Sequence, residues 1–176
     1  RVTGVGIGSE RIEEEVGQLF PQARIARLDS DTTTNRKHYL AVLKAVRDGE
    51  VDILIGTQMI AKGLHFPGIT LVGVVWADSG LAMPDYKAAE RTFALLSQVT
   101  GRAGRGEIPG RVIIQTYQPQ HYAIELARQH DYEAFVAREL ATRAPLSYPP
   151  YSRMVNIRFA GMDEEQVKSV AAQVAA

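Results

Sequence analysis

The sequence has no cysteine, which excludes disulfides and thiolate-bound zinc within these 176 residues. Neither sign of charge is in excess, since 20 Lys and Arg balance 20 Asp and Glu. No global field therefore draws the chain to nucleic acid or to a membrane, and any contact with a polyanion must be local. No apolar run approaches the ~20 residues that span a bilayer, and no signal peptide is visible. The four histidines, His38, His65, His121 and His130, stand at no metal-ligand spacing, so no metal site is expected. Also absent are a G-x-x-x-x-G-K-[ST] phosphate loop and an Asp-Glu pair after a strand, the elements that cradle nucleotide phosphates and hold their metal. What is present, at 45% hydrophobic residues, suffices to bury the core of one domain and part of a second.

Taken in order, Arg1 to Ile7 reads as a strand. Ser9 to Phe20 reads as a helix with Ile12, Val16 and Leu19 inward, Ser9 as its N-cap, and Glu10 and Glu13 at the positive end of its dipole. Arg24 to Leu28 alternates as a short strand and leads into a turn-rich loop at Asp29 to Thr34. A second helix over Asn35 to Arg47 places Leu40, Leu43 and Val46 inward. Asp52 to Ile55 is a short apolar strand of the kind buried on both faces of a parallel sheet. Ile69 to Trp76 is another apolar run, a long helix follows from Asp85, and Arg111 to Thr116 reads as a strand. This β-α-β-α-β-loop-β-α-β order predicts an α/β fold, a doubly wound parallel sheet with working loops at the carboxyl ends of its strands. Beyond Pro119 the pattern is helical over Tyr122–Gln129 and Tyr132–Thr142. Leu146 to Tyr151, with paired prolines, reads as a linker. Met154, Val155, Ile157 and Phe159 then predict a strand and Glu164 to Val174 a helix. The expected organisation is one domain over residues 1–145, a linker over 146–151, and the start of a small α+β domain over 152–176. The chain reads as a piece of a larger protein.

Two stretches carry chemistry. In the helix from Asp85, a projection at ~100° per residue puts Lys87, Arg91, Gln98, Arg102 and Arg105 in one arc and Ala89, Phe93, Leu96, Val99 and Ala103 opposite. Gly101 and Gly104 interrupt its end, each costing roughly 1 kcal/mol relative to Ala. A solvated basic face and a phosphate-binding helix end both fit this pattern, and planar guanidiniums suit phosphate oxygens. In Gly56-Thr57-Gln58-Met59 through Lys62-Gly63, a Gly-Thr step after a buried strand offers N–H groups and a hydroxyl that hold a phosphate without reading sequence.

Together these stretches resemble motifs VI and V of superfamily 2 DNA helicases, and G-T-Q-M-x-A-K-G-x-x-F-P is close to the spelling of the PriA family of primosomal replication-restart helicases. Gly8-Ser9-Glu10-Arg11, with Ser9 for the usual threonine, Arg27 to Thr32, and Ala77 to Arg91 also follow that family. So does the proline-proline-aromatic junction ending at Tyr151, which there leads into a C-terminal domain. The resemblance implies the second RecA-like lobe of an ATP-dependent 3′ to 5′ helicase acting in replication restart. It implies that Arg102 and Arg105 reach across a cleft to the γ-phosphate, with Arg105 as arginine finger. Gln98, Gly63 and position 65 would face the nucleotide, and Gly56, Thr57, Gln58 and Lys62 the DNA backbone. The family usually has an acid at position 65. His65 accepts one bond through a neutral ring nitrogen, so the acid's role is not carried over and His65 reads as a loop or packing residue. ATP and Mg²⁺ would be bound mainly by an upstream lobe, and zinc by an upstream module alone. The implied partners are forked or single-stranded DNA, the upstream lobe, primosome proteins and single-strand-binding proteins, all in the cytoplasm.

Two other readings stay open. Gly4-Val-Gly-Ile-Gly8 with Asp29 invites a dinucleotide-binding Rossmann reading, though the spacing is G-x-G-x-G, and Asp29 and Asp31 also fit as turn-formers. The neutral charge and His65 also fit a catalytically silent, helicase-like interaction platform. Asp78 ends a strand where it orients an arginine of the basic helix or caps a loop. Trp76, Met83 and Tyr86 suit either packing or stacking on bases.

Overall fold

A computed structural model describes residues 8–29, 36–61, 68–101 and 110–175. Two compact units divide the chain, Arg1–Ala137 and Arg138–Ala176.

In the first unit, helices alternate with short parallel strands. The order is α1 (Ser9–Leu19), β1 (Ile25–Leu28), α2 (Arg36–Arg47), β2 (Ile53–Gly56), α3 (Gln58–Ala61), β3 (Leu71–Val74), α4 (Ala88–Thr100), β4 (Arg111–Ile114) and α5 (Tyr122–Gln129), with α6 (Tyr132–Arg143) crossing the boundary. Strands β1 and β2 pair in parallel from Ile25↔Ile53 to Leu28↔Gly56, and β3 and β4 from Leu71↔Arg111 to Val74↔Ile114. Parallel neighbours require crossover connections, which the helices supply. The architecture is the expected α/β lobe, and its described strands form two two-stranded sheets. The strand expected over Arg1 to Ile7 lies outside the described residues.

Several local expectations change. Ser9 is the first helical residue, not the N-cap; Gly8 holds that place, and the Ser9 hydroxyl donates to Asp29 Oδ2 at 2.6 Å. Leu19 is 72% exposed, because an eleven-residue helix is about 16 Å long while the four-residue strands it covers span about 13 Å. Leu40 is also exposed. Steps of three drift about 60° each around a helix, so Leu40 lies far from Val46, whereas Tyr39, seven residues before Val46, shares its half-buried face. Asp52 stays outside β2 and pairs with Arg24 instead, Nη2 to Oδ1 at 2.6 Å and Nε to Oδ2 at 2.9 Å. The strand expected to be buried on both faces is only partly so: in β2 Ile55 is buried while Ile53, Leu54 and Gly56 are half-buried, and in β3 Leu71 and Gly73 are exposed, Val72 and Val74 half-buried.

The core forms where the inner faces of β3 and β4 meet α4, α5 and the start of α6. Ala77, Phe93, Leu96, Ala123, Ile124, Ala127 and Phe135 make one buried cluster, with Val74 and Ile114 packed against it. Phe93 stacks on Phe135 with centroids 4.0 Å apart, an arrangement worth about 0.5–1.5 kcal/mol beyond its burial. His121 caps α5, its Nδ1 accepting from the Ala123 amide at 3.2 Å.

In the second unit, Arg143 donates through Nε and Nη2 to Glu139 Oε1 and through Nη1 to the Pro149 carbonyl, pinning the prolines to the end of α6. The Pro149–Pro150 bond is cis. The expected strand around Met154 to Phe159 does not form. Met154, Val155 and Ile157 are exposed, and alternation alone makes no strand without a ladder partner, which is absent among the described residues. Helix α7 (Glu164–Ala175) follows, its first amides capped by Asp163 Oδ1.

Candidate nucleic-acid and nucleotide interface

The turn after β2 is built by close packing. A Cβ at Gly56 would meet the carbonyl oxygen of Leu28, its register partner, and the Ile60 side chain at 3.0 Å. Glycine is thus demanded here by strand and helix packing. The chain then leaves the strand at Thr57, whose carbonyl accepts from the Ile60 amide at 3.1 Å as α3 begins. Thr57 and Gln58 are both exposed, so a hydroxyl and an amide stand in solvent at the carboxyl end of a largely half-buried strand. Lys62, Gly63 and His65 lie outside the described residues.

Helix α3 packs on α4, which places the Gly56–Gln58 turn and the Gln98 helix in one body. Thr92, Phe93, Leu96 and Val99 bury one side of α4, while Arg91 is exposed and Gln98 half-buried. Asp85 holds the helix start, accepting from the Lys87 amide at 2.9 Å and pairing with Arg91 Nη1 at 2.8 Å. Those contacts, the Lys87 amide first, hold its carboxyl below the usual range. At the other end Gly101 is right-handed, with φ −73°, so no left-handed turn requires this glycine. Arg102, Gly104 and Arg105 lie outside the described residues.

At the carboxyl ends of β3 and β4 the structure supplies what the sequence left open. Trp76 has φ 58°, a left-handed kink unusual for a bulky residue. It turns the chain so that Ala77 N–H donates to the Gln115 carbonyl and Asp78 points at the loop after β4. Asp78 is 5% exposed. Its Oδ1 accepts from the Thr116 hydroxyl at 2.7 Å and the Gln118 amide at 3.2 Å, and Oδ2 from the Tyr117 amide at 2.9 Å. Burial pushes this carboxyl up, but the Thr116 hydroxyl and surrounding amides outweigh it and hold it below the ordinary range. Asp78 is therefore a loop anchor. These partners lie almost forty positions downstream, beyond any local sequence signal. Gly80 lets the same turn close on α4, since a Cβ there would stand 2.6 Å from Thr92 Oγ1.

Asp29 is 3% exposed, with Oδ2 held by the Ser9 hydroxyl and by Arg27 Nη1 at 2.6 Å. A carboxylate so enclosed does not present itself to a ribose, which removes the support for the dinucleotide reading. Among the described residues no cluster of three or more His, Cys, Asp or Glu is placed to hold a metal, and no helix is long and apolar enough to cross a membrane.

The profile of the helicase conserved C-terminal domain matches residues 8–107. This chain belongs to that helicase family. The match takes in the β2 turn, α3 and the whole of α4, the elements that the geometry brings together. Among individual proteins, the chain is 56% identical over 146 residues to the replication restart protein PriA of Bacillus subtilis, covering 83% of this chain and 18% of that protein. It is 48% identical over 170 residues to that of Synechocystis, covering 97% of this chain and 20% of the relative. For Treponema pallidum the identity is 48% over 166 residues, covering 94% and 25%. The chain thus spans about a fifth to a quarter of these relatives. The resemblance read from motifs V and VI is the one these helicase relatives bear out.

Proposed function

We propose that this chain is the second motor lobe of an ATP-dependent 3′ to 5′ DNA helicase acting in replication restart in the cytoplasm. The observation that carries the reading is the packing of α3 on α4, because it joins the candidate DNA turn to the candidate nucleotide helix. In this reading Gly56, Thr57, Gln58 and Lys62 hold the DNA backbone. Gln98, Gly63 and position 65 face the nucleotide, and Arg102 and Arg105 neutralise charge on the transferred phosphoryl group. Mg²⁺ and the phosphate cradle belong to an upstream lobe, and any zinc to an upstream module. The rest of the proposal is that residues 1–145 form the lobe, 146–151 a linker, and 152–176 the start of a further domain that meets primosome partners.

Mechanistically, this lobe's contribution is positional and electrostatic. In this reading the two arginines follow in sequence a helix that buries Thr92, Phe93, Leu96 and Val99, and a guanidinium ordered in advance needs little reorganisation to meet a developing charge. An arginine finger in such chemistry is worth on the order of 10³ or more in rate. Coupling follows because the β2 turn moves with α4. The test is DNA-stimulated ATP hydrolysis by the full-length protein and its Arg105→Ala variant. We expect turnover to collapse by about three orders of magnitude with folding intact. Near-normal turnover in the variant refutes the assignment, and absence of turnover in the folded wild type favours the silent platform.

A further inference from the structure

We propose that the outer face of β3 and β4 is a docking surface for an amphipathic, acid-bearing helix of the same polypeptide, supplied by sequence outside these 176 residues. The inference goes beyond the motor reading and does not rest on it. Leu71, Val75 and Ile113 are 57%, 45% and 53% exposed. The alternation that turns Val74 and Ile114 onto the core turns these three the other way. Parallel strands are ordinarily covered by helices on both faces, and α4 and α5 lie on the core side.

Gly73 marks where the cover comes close. It stands between Leu71 and Val75 and opposite Ile113 in the register. A glycine inside a strand weakens it and packs nothing, so the position needs a reason. No left-handed backbone requires it, since Gly49 is the described glycine with positive φ. No neighbour needs the space either, because a Cβ there would meet nothing within 4 Å, in contrast to Gly56. The remaining reason is an element from outside that approaches the strand at this notch.

Size and charge select the occupant. A stable complex between separate chains engages roughly 20–30 residues a side, far more than this patch offers, whereas a tethered segment gains from its high effective concentration. The chain spans about a fifth to a quarter of its relatives, which leaves ample length for one helix. From Leu71 to Val75 is about 13 Å, or about nine helical residues, with apolar side chains at steps of three and four. Arg111, exposed and opposite Leu71, has no ion-pair partner among the described residues, so the helix carries its carboxylate over the amino ends of the strands. One cation is too few for a phosphate chain, which is held by several.

The test replaces Ile113, and separately Leu71, by photoreactive p-benzoylphenylalanine in the full-length protein. Glu14, exposed on α1, serves as the background position, and cross-linked peptides are identified by mass spectrometry. The expected product joins either probe, within one molecule, to a helical peptide outside the present sequence that carries an acid beside its apolar stripe. Gly73→Leu fills the notch and should cut the yield about ten-fold, and Arg111→Glu about as much. Yields no higher than at Glu14, a cross-link confined to the present sequence, or one joining two copies overturns the inference. An unchanged yield in both Gly73→Leu and Arg111→Glu also overturns it.

Discussion

Replacing Asp78 by Asn tests the anchor after β4 without changing its shape. The carboxylate uses both oxygens, one for the Thr116 hydroxyl and the Gln118 amide and the other for the Tyr117 amide. An asparagine offers one acceptor and turns an NH₂ group toward at least one of these donors. The variant loses one charge-assisted hydrogen bond, worth about 1.5–3 kcal/mol, and makes the others neutral, so a loss of about 2–4 kcal/mol is expected at pH 7. The sign of the pH dependence follows from the lowered Asp78 carboxyl. Its stabilisation is fully present above the unfolded value of about 3.9 and is lost as pH falls through the lower folded value. The gap between wild type and Asp78→Asn should therefore be widest near neutrality and close on strong acidification. Urea titrations of the chain, followed by circular dichroism between pH 7 and pH 3 with m-values compared, measure both. A difference within 0.5 kcal/mol at pH 7, or one that widens in acid, refutes the reasoning.

Two further substitutions probe packing. Gly56→Ala drives a methyl into the Leu28 carbonyl and the Ile60 side chain, and should cost about 1–3 kcal/mol in the same titration. If instead it leaves stability unchanged while weakening DNA binding, the glycine serves the ligand and not the strand pair. Thr92→Val exchanges a buried hydroxyl that has no hydrogen-bond partner among the described residues for a methyl of similar shape, and should raise stability by about 1 kcal/mol. A loss of that size would mean that the hydroxyl is satisfied.

Where periodicity decides structure, the sequence was a good guide. Helix α5 runs over Tyr122–Gln129 as its pattern predicts, and Phe93, Leu96 and Val99 bury the expected side of α4. Position 40 misled because a three-residue step looks helical locally yet drifts around the axis, which only the position of the sheet resolves. The strand at Met154 to Phe159 misled because alternation describes a face and is silent about a partner. The β2 turn was recognisable from Gly56, Thr57 and Gln58, though not that Gly56 answers to the Leu28 carbonyl. The Asp78 anchor carried no pattern: the Thr116 hydroxyl and the Tyr117 and Gln118 amides that it accepts from lie 38 to 40 positions downstream.

The arginine at the end of β1 has a historical consequence. Arg27 meets Glu13 at 2.9 Å, Asp29 at 2.6 Å and Glu10 at 3.4 Å, while Ser9 shares the Asp29 oxygen. Remove the cation and three carboxylates face one another across the entry to α1; remove one carboxylate and the remaining pairs persist. Substitution is thus asymmetric: a change at position 10 or 13 leaves Arg27 its other partners, whereas a change at position 27 takes the shared cation from all three carboxylates at once, the buried Asp29 included. Among lineages carrying this lobe, residues 10, 13, 27 and 29 should change in an ordered sequence, with the arginine the last to go.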